Sequence, residues 1–368
     1  MSAPLDRHGR PLGVLRLSLT ARCNLACPYC CPDAEDPPEL LTLAERCLLV
    51  DTAVGQGVGT LRLTGGEPLL HGRLEELIAA LQPLRRRSLD DPRGRLREIA
   101  LTSNGVLLTA ARARALKEAG LDRLTLSLDG SDGTSVARMA GLSGGTAAGE
   151  AVLAKVLAAV EHARAAGFDP ERGALKLNAV ITRGGNDDQL LPLAALARQR
   201  GVELRLIEFM DVGNRNGWQP ERVLPAAAMV ERIARRWPLE PVGRDPHGTA
   251  SRWRYADGGG HLAEVASITT PFCGDCNRLR ITADGVAYTC LFAATGTDLK
   301  PWLRPAAGDG AGGGAVDPAG LASALAGLWR ARRDRWSEER QERLEADSAS
   351  GRATGAVASH AEMAYLGG

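Results

Sequence analysis

Val14-Leu-Arg-Leu-Ser-Leu-Thr-Ala-Arg-Cys23-Asn-Leu-Ala-Cys27-Pro-Tyr-Cys30 joins a strand to three cysteines within seventeen residues. Leu15, Leu17 and Leu19 fall on one face of the strand, and Arg16 and Ser18 on the other. Similar apolar runs at 60–64, 98–102, 123–128, 175–181 and 202–209 read as strands. Amphipathic stretches at 42–56, 73–86, 109–119, 146–166 and 187–200 lie between them. Repeated strand–helix units imply parallel strands joined by right-handed crossovers. Six units predict an α/β fold, a partial (β/α)6 TIM-like barrel left partly open. Residues 1–236 are expected to form this core, and 237–368 a smaller C-terminal domain carrying a second cysteine cluster.

Strand parity says what the sheet encloses. Leu124, Leu126 and Leu128 oppose Thr125 and Ser127, Leu175 and Leu177 oppose Lys176 and Asn178, and Leu204 and Leu206 oppose Glu203 and Arg205. A parallel sheet covered on both faces reads almost continuously apolar. Here one face is polar and cationic in strand after strand, so it is expected to line a lumen that holds a polar, anionic ligand. The bland alternative is a half-solvated sheet with surface arginines.

Of eight cysteines, six form two triads, C-x3-C-x2-C at Cys23, Cys27 and Cys30, and C-x2-C-x13-C at Cys273, Cys276 and Cys290. A cubane iron–sulfur cluster ordinarily takes four thiolates, so three leave one iron open to another ligand. A structural zinc site would want four nitrogen or sulfur donors, which neither triad completes. Cys31 and Cys47 read as packing thiols. In the second triad, strand-like runs flank Asp284–Gly285, a hairpin signal. Folding there sets Cys290 opposite Leu279, close to Cys276, and puts Arg278 and Arg280 on one face.

The 368 residues are 44% hydrophobic and 24% charged, with a net charge of +1. That balance gives no electrostatic reason to expect nucleic acid or an anionic membrane as partner. No apolar run approaches the roughly 20 residues of a membrane span. The polar residues 1–10 lack a signal-peptide core. A cytoplasmic setting with reduced cysteines is the expectation. The stretches 85–97 and 305–320 read as surface loops, the second Gly/Ala/Pro-rich and mobile.

The Cys23–Cys30 spacing resembles the signature of the radical S-adenosylmethionine superfamily, and Thr64-Gly65-Gly66-Glu67-Pro68 is similar to its GGEP motif. Four further runs narrow the resemblance: Phe272-Cys-Gly-Asp-Cys-Asn-Arg-Leu-Arg280, Cys290-Leu-Phe292, Ile207-Glu-Phe-Met-Asp-Val-Gly-Asn214 and the terminal Ala364-Tyr-Leu-Gly-Gly368. Together they resemble the GTP 3′,8-cyclase family of molybdenum cofactor biosynthesis over nearly the whole chain. The resemblance implies two [4Fe-4S] clusters, one on each triad, each held by three cysteines. It implies S-adenosyl-L-methionine as cofactor and GTP as substrate. A 5′-deoxyadenosyl radical would take the ribose 3′ hydrogen, and the sugar radical would attack purine C8 to give (8S)-3′,8-cyclo-7,8-dihydroguanosine 5′-triphosphate.

By motif, Tyr29, Gly65, Gly66, Glu67, Ser127 and Met210 would serve S-adenosylmethionine. GTP would fall to Arg16, Thr102, Lys176 and Arg205, with Arg278 and Arg280 from the hairpin. His71 occupies a GTP-binding position at which the family usually has arginine, with Arg73 nearby as a substitute. The tail glycines Gly367 and Gly368 would thread into the catalytic site. Ala21 stands in place of a common acidic residue, and Cys31 in place of a methionine. The resemblance further implies a low-potential electron donor of flavodoxin or ferredoxin type and delivery of product to cyclic pyranopterin monophosphate synthase. A homodimer is compatible with it; nucleic acid and membrane partners are not expected. The competing readings are another radical enzyme with an auxiliary cluster, such as a peptide-modifying one, a non-enzymatic iron–sulfur scaffold, and a zinc-binding module.

Overall fold

The alternation of leucine with polar residues builds six parallel strands, β1 (Val14–Ser18), β2 (Thr60–Thr64), β3 (Glu98–Ser103), β4 (Arg123–Ser127), β5 (Leu175–Ile181) and β6 (Glu203–Glu208). The structure, a computed structural model, describes residues 3–33, 35–304, 316–340 and 360–367. Crossovers run through α1 (Leu43–Gly55), α2 (Leu74–Ala80), α3 (Gln82–Arg85), α4 (Ala110–Ala119), α5 (Gly133–Met139), α6 (Gly145–Ala165) and α7 (Leu190–Gln199). Helix starts are written locally. Thr42 and Glu45 form a reciprocal capping box on α1, and Asp132 with Ser135 does the same on α5.

The leucine faces pack under these helices. Leu15, Leu63, Leu124, Leu126, Leu175 and Leu206 are all fully buried. At ~25 cal/mol per Å2 of apolar surface, each such side chain contributes about 1.5–3 kcal/mol. The opposite face carries the polar set, in register across strands: Arg16 lies beside Arg62, Thr125 beside Lys176, and Lys176 beside Glu203.

After α8 (Ala226–Ala234) the chain forms β7 (Leu239–Arg244), β8 (Ser251–Tyr255), β9 (His261–Val265), β10 (Arg278–Ile281), β11 (Val286–Tyr288) and β12 (Thr297–Asp298). The expected boundary at 236/237 falls in the link between α8 and β7. These later strands do not stand apart from the first six. Among the described residues all twelve form one sheet, ordered β12-β11-β10-β1-β2-β3-β4-β5-β6-β9-β8-β7. β10 pairs parallel to β1, and β9 parallel to β6. Both edges that six strands alone would leave unpaired are thereby covered. This long-range pairing is why the second triad, distant in sequence, arrives beside the first strand.

Later helices include α9 (Lys300–Leu303), α10 (Pro318–Ala331) and the tail helix α11 (Met363–Leu366). Of the loop expected at 305–320, residues 318–320 open α10, whose cap is Asp317, and 305–315 lie outside the described residues. The 85–97 connection is tied down by an Arg87–Asp51 ion pair at 2.7 Å. Among the described residues no helix is long and apolar enough to cross a membrane.

Candidate active site

The first triad leaves the carboxyl end of β1, where open α/β sheets place their ligands. Its approach is clamped to the end of β2. Gly66 N donates to Thr20 O at 2.7 Å, and Glu67 N donates to Arg22 O at 2.8 Å. Gly65 has φ +142°, and a Cβ there would sit 2.5 Å from Thr20 O; at Gly66 it would sit 2.1 Å from Arg22 O. The close approach that requires these glycines is therefore made by the loop leading to Cys23. Glu67 is fully buried and its carboxylate is committed: it accepts from Leu69 N at 2.9 Å, Ser103 Oγ at 2.8 Å and Asn104 N at 2.7 Å. Asn104 in turn directs its Nδ2 toward Cys23 Sγ at 3.6 Å. Glu67 thus acts through Asn104 on the cysteine loop.

Tyr29 spans to the far wall, its hydroxyl donating to Asp129 Oδ2 at 2.7 Å, while Val180 N donates to Oδ1 at 2.7 Å. Burial pushes the Asp129 carboxyl up to about 6. Cys27, Tyr29, Asn104, Ser127, Asp129 and Met139 line one cleft beside the triad. Tyr29, Met139, Phe209 and Asn216 line a second, next to Met210. Burial, with the charge of Glu67 near Cys23 and of Asp129 near Cys27 and Cys30, raises all three thiols; Cys30 reaches about 12.

The second triad turns at Cys273, where Cys276 N donates to Cys273 O at 3.1 Å, and runs into β10. The hairpin register differs by one residue from the sequence expectation. Arg280 faces Tyr288 and Ile281 faces Ala287. The reason is the turn: Thr282 N donates to Val286 O, so residues 283–285 form a three-residue loop with Gly285 at φ +90°, in place of a two-residue Asp-Gly turn. Arg278 and Arg280 still share a face. Around the triad lies a buried ionic brace. Arg332 donates to Cys276 O at 2.6 Å and to its Sγ at 3.1 Å; Arg10 donates to Cys273 O at 2.6 Å; Asp6 pairs with Arg10 at 2.6 Å and with Arg332 at 3.5 Å. Burial raises Cys276, but Arg278 and Arg332 override it and bring the thiol down to about 6. At Cys290 burial wins over a backbone hydrogen bond from Phe292 and the charge of Arg332, and the thiol is pushed up to about 12.

Between the triads the polar strand faces converge. Arg280, Arg16 and Arg62 lie side by side on β10, β1 and β2. Burial and the charges of Arg123 and Arg205 push Arg62 down to about 9. Arg205 belongs to β6, four strands from β2, which is about 19 Å along a flat sheet at ~4.8 Å per strand. The sheet therefore curls so that these faces look at one another. On the far wall Glu203 takes Lys176 at 3.0 Å, Arg205 at 2.9 Å and Arg252 at 2.9 Å. Burial raises Glu203, yet Arg205 and Lys176 overcome it and leave the carboxyl at about 2. Lys176 does not rise in return: burial and Arg205 outweigh Glu203 and lower it to about 8. On the near wall Arg16 Nε and Arg278 Nη1 are buried donors with no hydrogen-bond partner among the described residues.

The tail enters this lumen. Gly367 O accepts from Arg280 Nη1 at 3.1 Å and Arg16 Nη1 at 3.4 Å. Gly367 has φ +70°, and a Cβ there would lie 2.4 Å from Thr64 Cγ2, so glycine is required twice over. Tyr365 donates to Asp284 at 3.0 Å, and Asn214 grips His360 through both backbone groups. Gly368 lies outside the described residues. Thr102 shares the lumen face with Thr125 on the neighbouring strand. His71 is not brought to the lumen cations. Its Nε2 contacts the Arg46 guanidinium, and burial with that charge pushes the imidazole down to about 4, so it is neutral. Arg73 is exposed and paired with Glu76 at 2.6 Å.

Both triads fit iron–sulfur ligation by donor chemistry. All six cysteines are free thiols, and the charges of neighbouring sulfurs are felt at Cys27 in the first triad and at Cys290 in the second. Among the described residues no three His, Cys, Asp or Glu side chains converge as a single metal ion requires.

The chain is 60% identical over 368 residues to GTP 3′,8-cyclase of Synechococcus sp. (strain CC9605), covering 100% of this chain and 99% of that one. It is 42% identical to GTP 3′,8-cyclase of Acidothermus cellulolyticus, with 100% of each chain covered. The chain belongs to the GTP 3′,8-cyclase family. Residues 17–197 match the Radical SAM superfamily and residues 202–338 match Molybdenum Cofactor Synthesis C. Membership in the radical S-adenosylmethionine superfamily brings a [4Fe-4S] cluster and S-adenosylmethionine. Streptococcus suis SuiB bound to S-adenosylmethionine shares the fold, with TM-score 0.55 at 14% identity over 77% of this chain and 62% of that one.

Set against this cyclase family, three residues of the site were not singled out in the sequence: Arg62, Asp129 and Arg332. The first had a signal, since Thr60-Leu-Arg-Leu-Thr64 repeats the parity of Val14-Leu-Arg-Leu-Ser18. Arg332 had none, because only folding brings the end of α10 to Cys276.

Proposed function

We propose that this chain cyclises GTP to (8S)-3′,8-cyclo-7,8-dihydroguanosine 5′-triphosphate, with one [4Fe-4S] cluster on Cys23, Cys27 and Cys30 and a second on Cys273, Cys276 and Cys290. The observation that carries this reading is the near wall of the lumen. Arg16 and Arg280 converge on the Gly367 carbonyl with Arg278 on the same face, and buried donors on Arg16 and Arg278 have no hydrogen-bond partner among the described residues. A buried unpaired charge costs several kcal/mol, so this wall is built for an anion. The acidic and neutral surroundings of the first triad suit the cationic sulfonium of S-adenosylmethionine.

The bound cluster and S-adenosylmethionine supply the radical chemistry that opens the ribose 3′ position to bonding with purine C8. The protein's part is placement. Glu67 through Asn104, and Asp129 through Tyr29, fix the first cysteine loop, while Ser127 and Met210 border the clefts that receive S-adenosylmethionine. Gly65 and Gly66 seat that loop on β2. The arginines of β10 and β1 hold the nucleotide, with Lys176, Arg205 and Thr102 facing them. His71, neutral and held by Arg46, orders the β2–α2 connection. Gly367 brings the tail against the reacting sugar. The split of roles follows the division at 236/237, with S-adenosylmethionine served by the first part and the nucleotide base by the second. Electrons would come from a flavodoxin- or ferredoxin-type donor in the cytoplasm, and the product would pass to cyclic pyranopterin monophosphate synthase; a homodimer accommodates this arrangement.

The test is anaerobic turnover of reconstituted protein with GTP, S-adenosylmethionine and a strong reductant. Both 5′-deoxyadenosine and a cyclised nucleotide are expected. Absence of both refutes the reading, and 5′-deoxyadenosine alone favours a peptide-modifying enzyme.

A further inference from the structure

The link from β1 to Cys23 is held by two different sets of partners. Its carbonyls are taken by α1 and by the turn after β2. Leu19 O accepts from Arg46 Nη2 at 3.1 Å, Thr20 O from Gly66 N at 2.7 Å and Arg22 O from Glu67 N at 2.8 Å. Three of its donors turn instead to one carboxylate. Asp36 Oδ1 accepts from the Thr20 hydroxyl and from Ala21 N, the latter at 2.8 Å, and Asp36 Oδ2 accepts from Arg22 Nε at 2.9 Å. Burial raises the Asp36 carboxyl, but the bonds from Thr20 and Ala21 and the charge of Arg22 outweigh it and hold the group below its ordinary value. Only 17% of the Asp36 side chain is exposed, so this ionised acceptor is committed to the link. Ala21, where the family commonly has an acidic residue, is buried and offers no acceptor of its own.

Asp36 lies beyond the triad, six residues after Cys30. The chain leaves the sheet through Thr20, Ala21 and Arg22, carries Cys23, Cys27 and Cys30, and then returns to its own start. There Arg22 and Asp33 form an isolated parallel bridge, and Asp36 closes the ring. We propose that Asp36 is a positioning residue for the first cluster, its carboxylate stapling together the two ends of the loop that carries the three thiols. This rests on the reading that Cys23, Cys27 and Cys30 hold that cluster. Asp36 acts through the loop and not on the iron. A loop open at one end must be ordered when the cluster binds, whereas a closed loop has lost that freedom on folding. A carboxylate suits the task, because its two oxygens accept several donors from different directions. Groups that orient metal ligands from behind change metal affinity by about 10–100-fold. The hairpin triad has its own brace in Arg10 and Arg332, without Asp36, and so provides an internal standard.

The experiment is anaerobic removal of iron by a chelator from reconstituted full-length protein holding one cluster at a time. Cys276→Ala reports the loop cluster and Cys27→Ala the hairpin cluster, and Asp36→Ala or Asp36→Asn is added to each. Asp36→Ala is expected to speed iron loss from the loop cluster about tenfold and to leave the hairpin cluster within about twofold of its parent. Asp36→Asn keeps an acceptor for Thr20 and Ala21 while losing the charge, so its effect should fall between parent and Asp36→Ala. Hydrogen exchange on the same proteins gives a second readout. The segment 19–33 should exchange faster in Asp36→Ala, and the segment 273–290 should not change. Equal acceleration of iron loss at both clusters marks a general loss of stability and overturns the proposal. So does a loop-cluster rate within about twofold of its parent. If Cys276→Ala takes up no iron even with Asp36 intact, the cluster reading itself fails, and the proposal with it.

Discussion

The two cysteine triads share a donor set and differ in the charges nearest to it. The loop triad at Cys23, Cys27 and Cys30 meets carboxylates, Glu67, Asp129 and Glu362, and its thiols are all raised. The hairpin triad meets guanidiniums, and Arg278 with Arg332 lowers Cys276 to about 6. Identical donors can therefore serve opposite ligands. A sulfonium is welcome beside carboxylates, and a polyphosphate beside arginines. The difference is carried by the residues that flank the thiols, and those flanks come from different strands.

The largest effect that would break this comparison comes from removing one cluster at a time. Cys27→Ala is expected to abolish formation of 5′-deoxyadenosine altogether. Cys276→Ala is expected to retain some 5′-deoxyadenosine yet form no cyclised nucleotide. Chromatography of the two products, with iron content falling by about half in each variant, checks both; identical losses would erase the distinction. Next in size is the tail. Gly367→Ala forces a Cβ into Thr64 from a left-handed backbone. It should cost about 10^2-fold in cyclisation, the scale of an ångström-level misplacement, with both clusters still present by absorbance. Normal turnover would remove the tail from the mechanism.

A third effect probes the flank of the hairpin triad. Arg332→Gln deletes the charge that donates to Cys276 Sγ. The hairpin cluster's reduction potential should move to lower values, since hydrogen bonds and positive charge at the sulfurs favour the reduced state, while the loop cluster's stays fixed. Cluster retention should weaken by about 10–100-fold. Equal shifts in both clusters would contradict the local reading. The smallest expected effect is a pH dependence. Lys176 is lowered to about 8, so it is charged below that pH and neutral above it. GTP affinity should fall as pH rises through 8, by about threefold to tenfold, and Lys176→Arg should flatten the profile because arginine does not titrate there. A profile unchanged by that substitution would exclude Lys176 from nucleotide binding.

Much of this contrast was legible before folding. The parity of the β1, β5 and β6 strands placed Arg16, Lys176 and Arg205 on one face, and the structure brings those faces together. Cysteine spacing separated the two triads. What could not be read was anything set by pairing between distant segments. The sequence carries no mark that β10 will lie parallel to β1, and without that pairing Arg280 has no reason to stand beside Arg16. Nor does it show that Glu67 and the paired glycines spend themselves on Ser103, Asn104, Thr20 and Arg22, protein groups that only tertiary structure supplies. The hairpin register slipped by one because Asp-Gly admits two loop lengths, and only the bond from Thr282 N to Val286 O selects between them.

The central claim is that the loop triad's vacancy takes S-adenosylmethionine and the hairpin triad's takes the nucleotide. Electron paramagnetic resonance of reduced Cys276→Ala and Cys27→Ala proteins, each holding a single cluster, tests it most directly. S-adenosylmethionine should perturb the signal of Cys276→Ala and leave Cys27→Ala unchanged, and GTP should do the reverse. A GTP-induced change at the loop cluster, or a spectrum of Cys27→Ala indifferent to GTP, would contradict it.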